Sequence, residues 1–306
     1  MIVRVRTAGL LTTVQDRGRW GYQAMGVPVA GPMDLYAHRL VNLLVGNHED
    51  AATLEVTVAG PELEFTDKRV VAIAGAEFES LPDTVFDVHA GERLRFGRRI
   101  RGARAYVAIS GGIDTPQVLG SRATHVPSGM GGRALKAGDE VPLGPPKGGH
   151  YVRSAPSVRS VRLQADQTQS PAILRVLPGP QADRFAASAL DALQSAPYRV
   201  ETDSNRMGYR LSGPPLEHSR GADIISDATP PGVLQVPGSG QPILLMADRQ
   251  TTGGYAKIAT VISADMSAAG QLAPGDEIRF AVCTPAEALA ALVAQEQRLL
   301  AIAGRA

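Results

Sequence analysis

The sequence predicts a mainly β protein built as two β-rich halves with a few helices, and three observations predict it. Short apolar runs bounded by Gly, Pro or Asp recur along the chain. Glycine (33) and proline (22) are abundant, whereas aromatic residues make up only 5% of the 306 positions. One turn-plus-strand pattern also returns three times. Composition this rich in turn formers fits closely spaced strands better than a helical bundle. At about 150 residues per domain, the length suggests two domains or one large one. A hydrophobic content of 44% supplies a core, and 20% charged residues exclude a disordered chain.

The strands are read first. Val70–Ala74, Ala105–Ile109, Ile173–Leu177, Ile243–Ala247 and Ile258–Ile262 are compact apolar runs, too short for most helices and enriched in β-branched residues. The threefold pattern is Ala90-Gly91-Glu92 before Arg93–Phe96, Ala137-Gly138-Asp139 before Glu140–Leu143, and Pro274-Gly275-Asp276 before Glu277–Phe280. Each is a Gly-acid turn leading into apolar alternation, the entry of a strand into a barrel or sandwich.

Helices carry explicit start and stop signals. Asp34 caps a predicted helix over Leu35–Val45 with Leu40, Val41 and Leu44 on one face and Gly46 as the stop. Residues 181–194 predict another. Thr284-Pro285-Ala286-Glu287 is a capping box with proline at the first helical position. Beyond it, Leu289, Leu292, Val293, Glu296 and Leu300 predict a stripe packed on the body, with Gln295 and Arg298 in water. The polar stretch Gly144–Gln169 reads as a linker. The expected organisation is therefore a first β unit over 1–150, a linker over 151–170, a second β unit over 171–284 and a C-terminal helix over 285–306.

Several chemistries are excluded. The formal charge of +1 gives no global field for nucleic acid or membrane. Cys283, the single cysteine, rules out an intramolecular disulfide and is expected to be a buried, inert thiol. There is no Walker-type phosphate loop, no Rossmann fingerprint following a strand and no Gly-x-Ser-x-Gly elbow. The six histidines are isolated, with no zinc-ligand spacing, so they are expected at the surface or at caps and no metal site is expected. Arg93, Arg95, Arg98, Arg99, Arg101 and Arg104 predict a hairpin of solvated arginines around Gly97 and Gly102. Arginines in the first six residues argue against a signal peptide, and no run approaches the ~20 apolar residues of a membrane span, so a cytoplasmic protein is expected.

Three polar segments stand out against this background. Thr12–Tyr22 contains Gln15-Asp16-Arg17-Gly18, a turn able to present a carboxylate, a guanidinium and backbone amides together. The same residues also fit an Asp-capped turn with an internal Asp16–arginine ion pair. Ser204–Leu211 sets Arg206 and Arg210 around Gly208 with Asn205 and Tyr209. Arginine forks of this kind suit carboxylate or phosphate, or an edge paired to Glu217 or Asp223. Gln235–Pro242, with Gln241, leads through an apolar run to Asp248-Arg249-Gln250-Thr251-Thr252-Gly253-Gly254-Tyr255. That stretch reads either as a loop whose glycines let backbone approach a ligand or as a hydrogen-bonded β-turn. Three such segments favour a cleft for a small polar molecule.

These segments, with Gly26-Val27-Pro28, Leu43–Asn47, Ser110–Asp114, Leu119–Thr124, Pro178-Gly179-Pro180 and Pro231–Pro237, resemble the biotin-dependent carboxyltransferase-like family over nearly the whole chain. That family takes in the C subunits of prokaryotic 5-oxoprolinases, proteins labelled allophanate hydrolase subunit 2, Kip-type regulators and the carboxyltransferase domain of urea carboxylase. The resemblance implies two cyclophilin-like β-barrel subdomains. Free-standing members of this length are most similar to the 5-oxoprolinase C subunits. That implies a hydrolase component that works with B-like and A-like partners of the 5-oxoprolinase complex, using ATP to open 5-oxo-L-proline to L-glutamate. The alternatives are a biotin-dependent carboxyltransferase acting on urea or a similar amide, and a Kip-type regulator that binds a sensor-kinase inhibitor.

Under this resemblance Asp16, Arg206 and Asp248 are the candidate catalytic residues. Arg206 or Arg210 would hold a carboxylate or transferring phosphoryl group, and Asp16 or Asp248 would orient or deprotonate. Gln15, Arg17, Asn205, Tyr209, Arg210, Gln241, Gln250, Thr251, Thr252, Gly253, Gly254 and Tyr255 are the candidate substrate-binding residues, with the Thr251–Gly254 loop receiving a developing oxyanion. The missing phosphate loop leaves ATP to an unrecognised loop or to a partner. None of Lys68, Lys136, Lys147 and Lys257 sits in a Met-Lys-Met sequence, so any biotin would be carried by another polypeptide.

Overall fold

The computed structural model describes residues 1–81, 84–146 and 171–302. The expected linker over 151–170 and most of Gly144–Gln169 lie outside them. The described chain falls into two compact units, one of residues 1–19, 30–146 and 297–302, the other of residues 20–29 and 171–296.

In the first unit the strands are β1 (Ile2–Thr7), β2 (Leu11–Gln15), β3 (Thr53–Thr57), β4 (Glu62–Phe65), β5 (Arg69–Phe78), β6 (Val85–Val88), β7 (Arg93–Arg95), β8 (Arg99–Ile109) and β9 (Glu140–Pro142), with helix α1 (Leu35–Leu44) between β2 and β3. They form a four-stranded sheet ordered β7-β4-β1-β9 and a five-stranded sheet ordered β2-β3-β8-β5-β6. Val3, Val5, Leu63 and Phe65 from the first pack with Leu54, Val56, Val71, Ile73 and Val107 from the second in one apolar layer. The opposite face of the larger sheet (Val70, Ala72, Ala74, Tyr106 and Ala108) is covered by Leu40, Val41 and Leu44 of α1 and by Leu299. Burial on both faces is why 70–74 reads as an unbroken apolar run rather than an alternating one. The Asp34 cap is formed, its Oδ1 accepting from Ala37 N at 2.9 Å.

The second unit contains β10 (Ala172–Pro178), α2 (Ala189–Ser195), β11 (Tyr198–Val200), β12 (Gly208–Ser212), β13 (Asp223–Ala228), β14 (Val233–Gln235), β15 (Ile243–Leu245), β16 (Thr252–Tyr255), β17 (Lys257–Val261), α3 (Met266–Gly270), β18 (Glu277–Val282) and the start of α4 (Pro285–Ile302). Seven strands close a barrel in the order β10-β17-β14-β15-β12-β11-β18, shut by the parallel pairing of β18 with β10. Alternate residues (Leu174 and Val176, Tyr198 and Val200, Tyr209 and Leu211, Ile278 and Phe280) are buried, the period-two signature of a filled barrel. Strands β13 and β16 form a separate two-stranded ribbon.

The threefold turn is real at the level of single hydrogen bonds. Gly91, Gly138 and Gly275 have φ of 85°, 89° and 92°, with nothing within 4 Å of an added Cβ, so glycine is required by conformation rather than space. Their amides each donate at 2.8 Å to Phe65 O, Val5 O and Val200 O. The same three residues make the reciprocal bonds, through Phe65 N to Glu92 O, Val5 N to Asp139 O and Val200 N to Asp276 O.

Four expectations are corrected. The predicted 181–194 helix is interrupted. A short 3-10 turn at Ala182–Arg184 stops where Phe185 becomes extended, bridges to His218 and stacks on its ring at 4.6 Å, and α2 begins only at Ala189. In α4 the capping box forms as expected, with Thr284 N to Glu287 Oε2 at 2.7 Å and Glu287 N to Thr284 Oγ1 at 3.2 Å. Its packed side is shifted from the predicted one, although Arg298 is exposed as expected and Leu292 and Glu296 are half-buried. Gln295 is buried and donates to Ala264 O at 3.0 Å, whereas Leu289, Val293 and Leu300 are exposed by 62%, 46% and 40%. His38 and His125 are buried rather than superficial. Cys283 is only half-buried, although burial still pushes its thiol pKa up.

A fifth correction is that the expected arginine hairpin does not form: Arg93 and Arg95 lie on β7 of the four-stranded sheet, whereas Arg99, Arg101 and Arg104 lie on β8 of the five-stranded sheet. Arg93 and Arg95 meet Glu62, Arg98 meets Glu79 and Arg101 meets Glu77, while Arg104 is buried.

Candidate functional site

In the second unit, residues beyond the ends of β12 and β15 continue their pairing: Met246 N donates to Met207 O at 3.0 Å and Asp248 N to Arg206 O at 2.8 Å. This short ladder sets the two side chains side by side. Arg206 Nε and Nη2 donate to Asp248 Oδ2 and Oδ1 at 2.9 and 3.0 Å, a bidentate fork 6% and 1% exposed at its two side chains. The sequence pattern sets Arg206 against Glu217, Asp223 or a ligand. The aspartate it meets lies 42 residues away. Low dielectric makes such a pair strong and makes either half costly to leave behind.

The segment after Asp248 is held by a web of buried polar groups. Thr229 donates through Oγ1 to Gln250 O, and its amide donates to Thr251 O at 3.1 Å. Gln250 Nε2 donates to Gln235 Oε1 at 3.3 Å, and Gln235 Nε2 donates to Tyr255 O at 3.4 Å. Thr252, Gly253, Gly254 and Tyr255 form strand β16 rather than a loop, because Ala228 and Asp227 of β13 pair with Thr252 and Gly253. Gly253 has a spatial reason: a Cβ there would fall well inside contact distance of Gln235 Nε2. Lys257, 2% exposed, donates through Nζ to Asp227 and, at 2.9 Å, to Ala228 O, tying the ribbon to β17 of the barrel. The ammonium holds the Asp227 carboxyl below its usual range.

Other sequence-predicted residues are placed as follows. Arg210 pairs with Asp203 at 2.6 Å on the surface. Asn205 Oδ1 accepts from Met207 N at 2.8 Å, closing the turn before β12. Gln241 is occupied at both ends of its amide by Gly213, at 3.0 and 3.1 Å. Tyr209, expected to orient a substrate, is 1% exposed inside the barrel. Arg249, Thr229, Gln235 and Lys257 belong to this buried web although the sequence does not mark them as site residues. Arg249 adjoins the marked Asp248 and Gln250, Lys257 lies two residues beyond Tyr255, Gln235 opens the third polar segment, and Thr229 carries no sequence signal.

In the first unit, Asp16 Oδ1 accepts from Gly18 N (2.9 Å) and Ser121 Oγ (2.6 Å), and Oδ2 from Arg122 N (2.6 Å). The carboxylate thus fastens its own turn to residues 121–122 through uncharged donors, and the expected internal ion pair with an arginine is absent among the described residues. Arg17 turns to Asp50 at 2.9 Å. Gln15 spends both Nε2 donors on Thr13 Oγ1 and Thr124 O, each at 3.0 Å. Beside it His38 Nδ1 meets Thr53 Oγ1 at 2.9 Å, and burial pulls its pKa down to about 4. Tyr106 donates to Glu55 Oε2 at 2.6 Å and accepts from Asp34 N at 2.8 Å, and burial with the Glu55 charge raises its phenol well above the usual value. Among the described residues no three His, Cys, Asp or Glu side chains are grouped to hold a metal ion, and no helix is long and apolar enough to cross a membrane.

The family model of the carboxyltransferase domain, subdomain A and B, matches residues 25–282, and the chain belongs to that family. Within it the chain is 39% identical to the C subunit of 5-oxoprolinase from Escherichia coli over 99% of its own length and 98% of the relative's. It is 35% identical to the protein of the same name from Haemophilus influenzae, over 90% and 89%. Urea amidolyase of Lachancea kluyveri is 34% identical over 90% of this chain, which spans only 16% of that protein. Among solved structures, Kluyveromyces lactis urea carboxylase matches with a TM-score of 0.85 and 31% identity, over 98% of this chain and 29% of that one. TTHA0988 matches with a TM-score of 0.79 and 37% identity, over 92% of this chain and 55% of that one.

Proposed function

We propose that this chain is the C subunit of a cytoplasmic, ATP-dependent 5-oxoprolinase that opens 5-oxo-L-proline to L-glutamate together with A-like and B-like partners. The observation that carries the reading is the two-sided coverage. The matches to proteins named as 5-oxoprolinase C subunits span nearly all of both chains, whereas the urea amidolyase match spans a small fraction of a much longer protein.

The chemistry suits what the second unit offers. A lactam carbonyl is resonance-stabilised, so hydrolysis near neutral pH needs its oxygen activated, for which ATP is the phosphoryl donor. This chain has no Walker-type loop, so in this reading it contributes substrate geometry and the nucleotide is handled in the assembled complex. The Arg206–Asp248 fork acts as a positioning pair that fixes residues 246–252. Asp16 does the same for the turn at residues 15–19.

A covalently held biotin does not fit this chain. Lys257 is sealed against Asp227, and no lysine stands between methionines. Glutamate release from 5-oxo-L-proline and ATP, measured with each component of the complex omitted in turn, tests the reading. Loss of product when this chain is left out is the expected result. Full activity without it, or a requirement for a biotinylated carrier and urea, overturns the reading.

A further inference from the structure

We propose that Arg249 is the seat of a carboxylate-binding site, its Nη2 edge receiving the carboxylate of the small substrate. The inference rests on the enzymatic reading above for the identity of that substrate, but the site itself is argued from the charge balance of the second unit.

A buried guanidinium is expensive to desolvate and stays protonated, so native proteins normally set a carboxylate against it. Within the second unit Arg206 and Lys257 obey this rule, meeting Asp248 and Asp227. Arg249 does not. It is 7% exposed, and its hydrogen bonds go to uncharged backbone: Nε to Thr229 O at 2.5 Å and Nη1 to Met246 O at 3.3 Å. No carboxylate lies within ion-pair distance among the described residues. The adjacent Asp248 favours the charged form of Arg249 through its field, but its hydrogen bonds go to Arg206 and it makes no ion pair with Arg249.

Burial pulls the Arg249 pKa down to about 10, which still leaves it charged at neutral pH. Nη2 has no partner among the described residues and is not one of the sealed unsatisfied atoms, so it meets solvent. The two carbonyls fix the plane of the guanidinium and leave the Nη2 donors without a partner among the described residues. One unbalanced positive charge with a fixed planar edge matches a monoanionic carboxylate better than a dianionic phosphate. Arg206 and Arg210, the arginines first expected to bind the anion, already have aspartates.

The test compares 5-oxo-L-proline with 2-pyrrolidinone, the same lactam without its carboxylate, and with inorganic phosphate. Each is titrated calorimetrically into the full chain and into the assembled complex, as wild type, R249Q and R249K. The expected result is at least tenfold tighter binding of 5-oxo-L-proline than of 2-pyrrolidinone by the wild type. R249Q should lose that preference while leaving 2-pyrrolidinone binding unchanged, and R249K, which keeps charge without the fork, should fall between them.

Equal binding of the two lactams by the wild type overturns the site, as does wild-type affinity for 5-oxo-L-proline in R249Q. Tighter Arg249-dependent binding of phosphate overturns the carboxylate assignment. If R249Q fails to unfold cooperatively, R249K decides: an undiminished preference overturns the site. A complex with Arg249-dependent carboxylate binding but no glutamate release sinks the enzymatic reading and keeps the site. Unchanged turnover in R249Q does the reverse.

Discussion

Removing the Asp248 carboxylate is the sharpest perturbation of the second unit. The Arg206–Asp248 fork is bidentate at 2.9 and 3.0 Å and almost wholly excluded from solvent, so D248A leaves a buried guanidinium without its carboxylate. Breaking one side of a buried pair costs about 3–5 kcal/mol, against about 0–1 kcal/mol for an exposed pair. For a protein of this size that corresponds to a fall in Tm of roughly 5–8 °C. D248N keeps the shape and one acceptor and should cost less than D248A. The assay is urea unfolding of the wild type, R206M, D248A and R206M/D248A, which gives the coupling energy of the cycle. Because the pair also fixes residues 246–252, D248N in the assembled complex should lose turnover at a temperature where it remains folded. A cost for D248A below about 1 kcal/mol, or a coupling energy near zero, would refute the argument that this fork organises the segment.

Three further outcomes follow from individual contacts. His38 is neutral in the folded protein because burial depresses its pKa from 6.5 to about 4. The unfolded chain therefore takes up a proton that the folded one refuses, and stability should fall by about 3 kcal/mol as pH drops from about 6.5 to 4. Urea unfolding at several pH values should show that slope in the wild type and a flatter one in H38Q. G253A presses a Cβ against Gln235 Nε2 and should cost about 1–3 kcal/mol. Q235A in the same chain should recover much of that loss, and an additive pair would contradict the contact. Glu64 accepts from Arg6 and Arg93 on an exposed sheet face, where both arginines hold its carboxyl below the usual range. E64Q should lower Tm slightly at low ionic strength, with the difference shrinking as salt is added; a salt-independent loss would mean that packing, not charge, is at stake.

What the sequence made legible is what local chemistry decides. The Gly-acid turns at Gly91, Gly138 and Gly275 could be seen because a positive φ demands glycine at that point of the chain, whatever surrounds it. The Asp34 cap and the Thr284–Glu287 box were equally readable, since each is closed by atoms three residues apart. The face of α4 was not. Its apolar residues lie all around the helix, and the face that packs carries Leu299, buried in an apolar cluster, and Gln295, whose amide bonds the Ala264 carbonyl 31 residues away.

The candidate site divides along the same line. Asp16, Arg206, Asp248 and residues 250–255 stand out in the sequence because polar groups in turn-rich, apolar-flanked stretches are unusual. How they balance one another is decided by contacts far apart in the chain. Asp16 became a loop fastener through Ser121, 105 residues on, and Arg206 was neutralised by Asp248, 42 residues on. Once those carboxylates are committed, the unbalanced charge shifts to Arg249, a residue with no sequence pattern of its own. Residue type and spacing can locate a polar web, but which cation in it is left for a ligand follows from which anions the fold has already used. In this unit that places the ligand-facing charge one residue beyond Asp248, on the arginine whose hydrogen-bond partners are both backbone carbonyls.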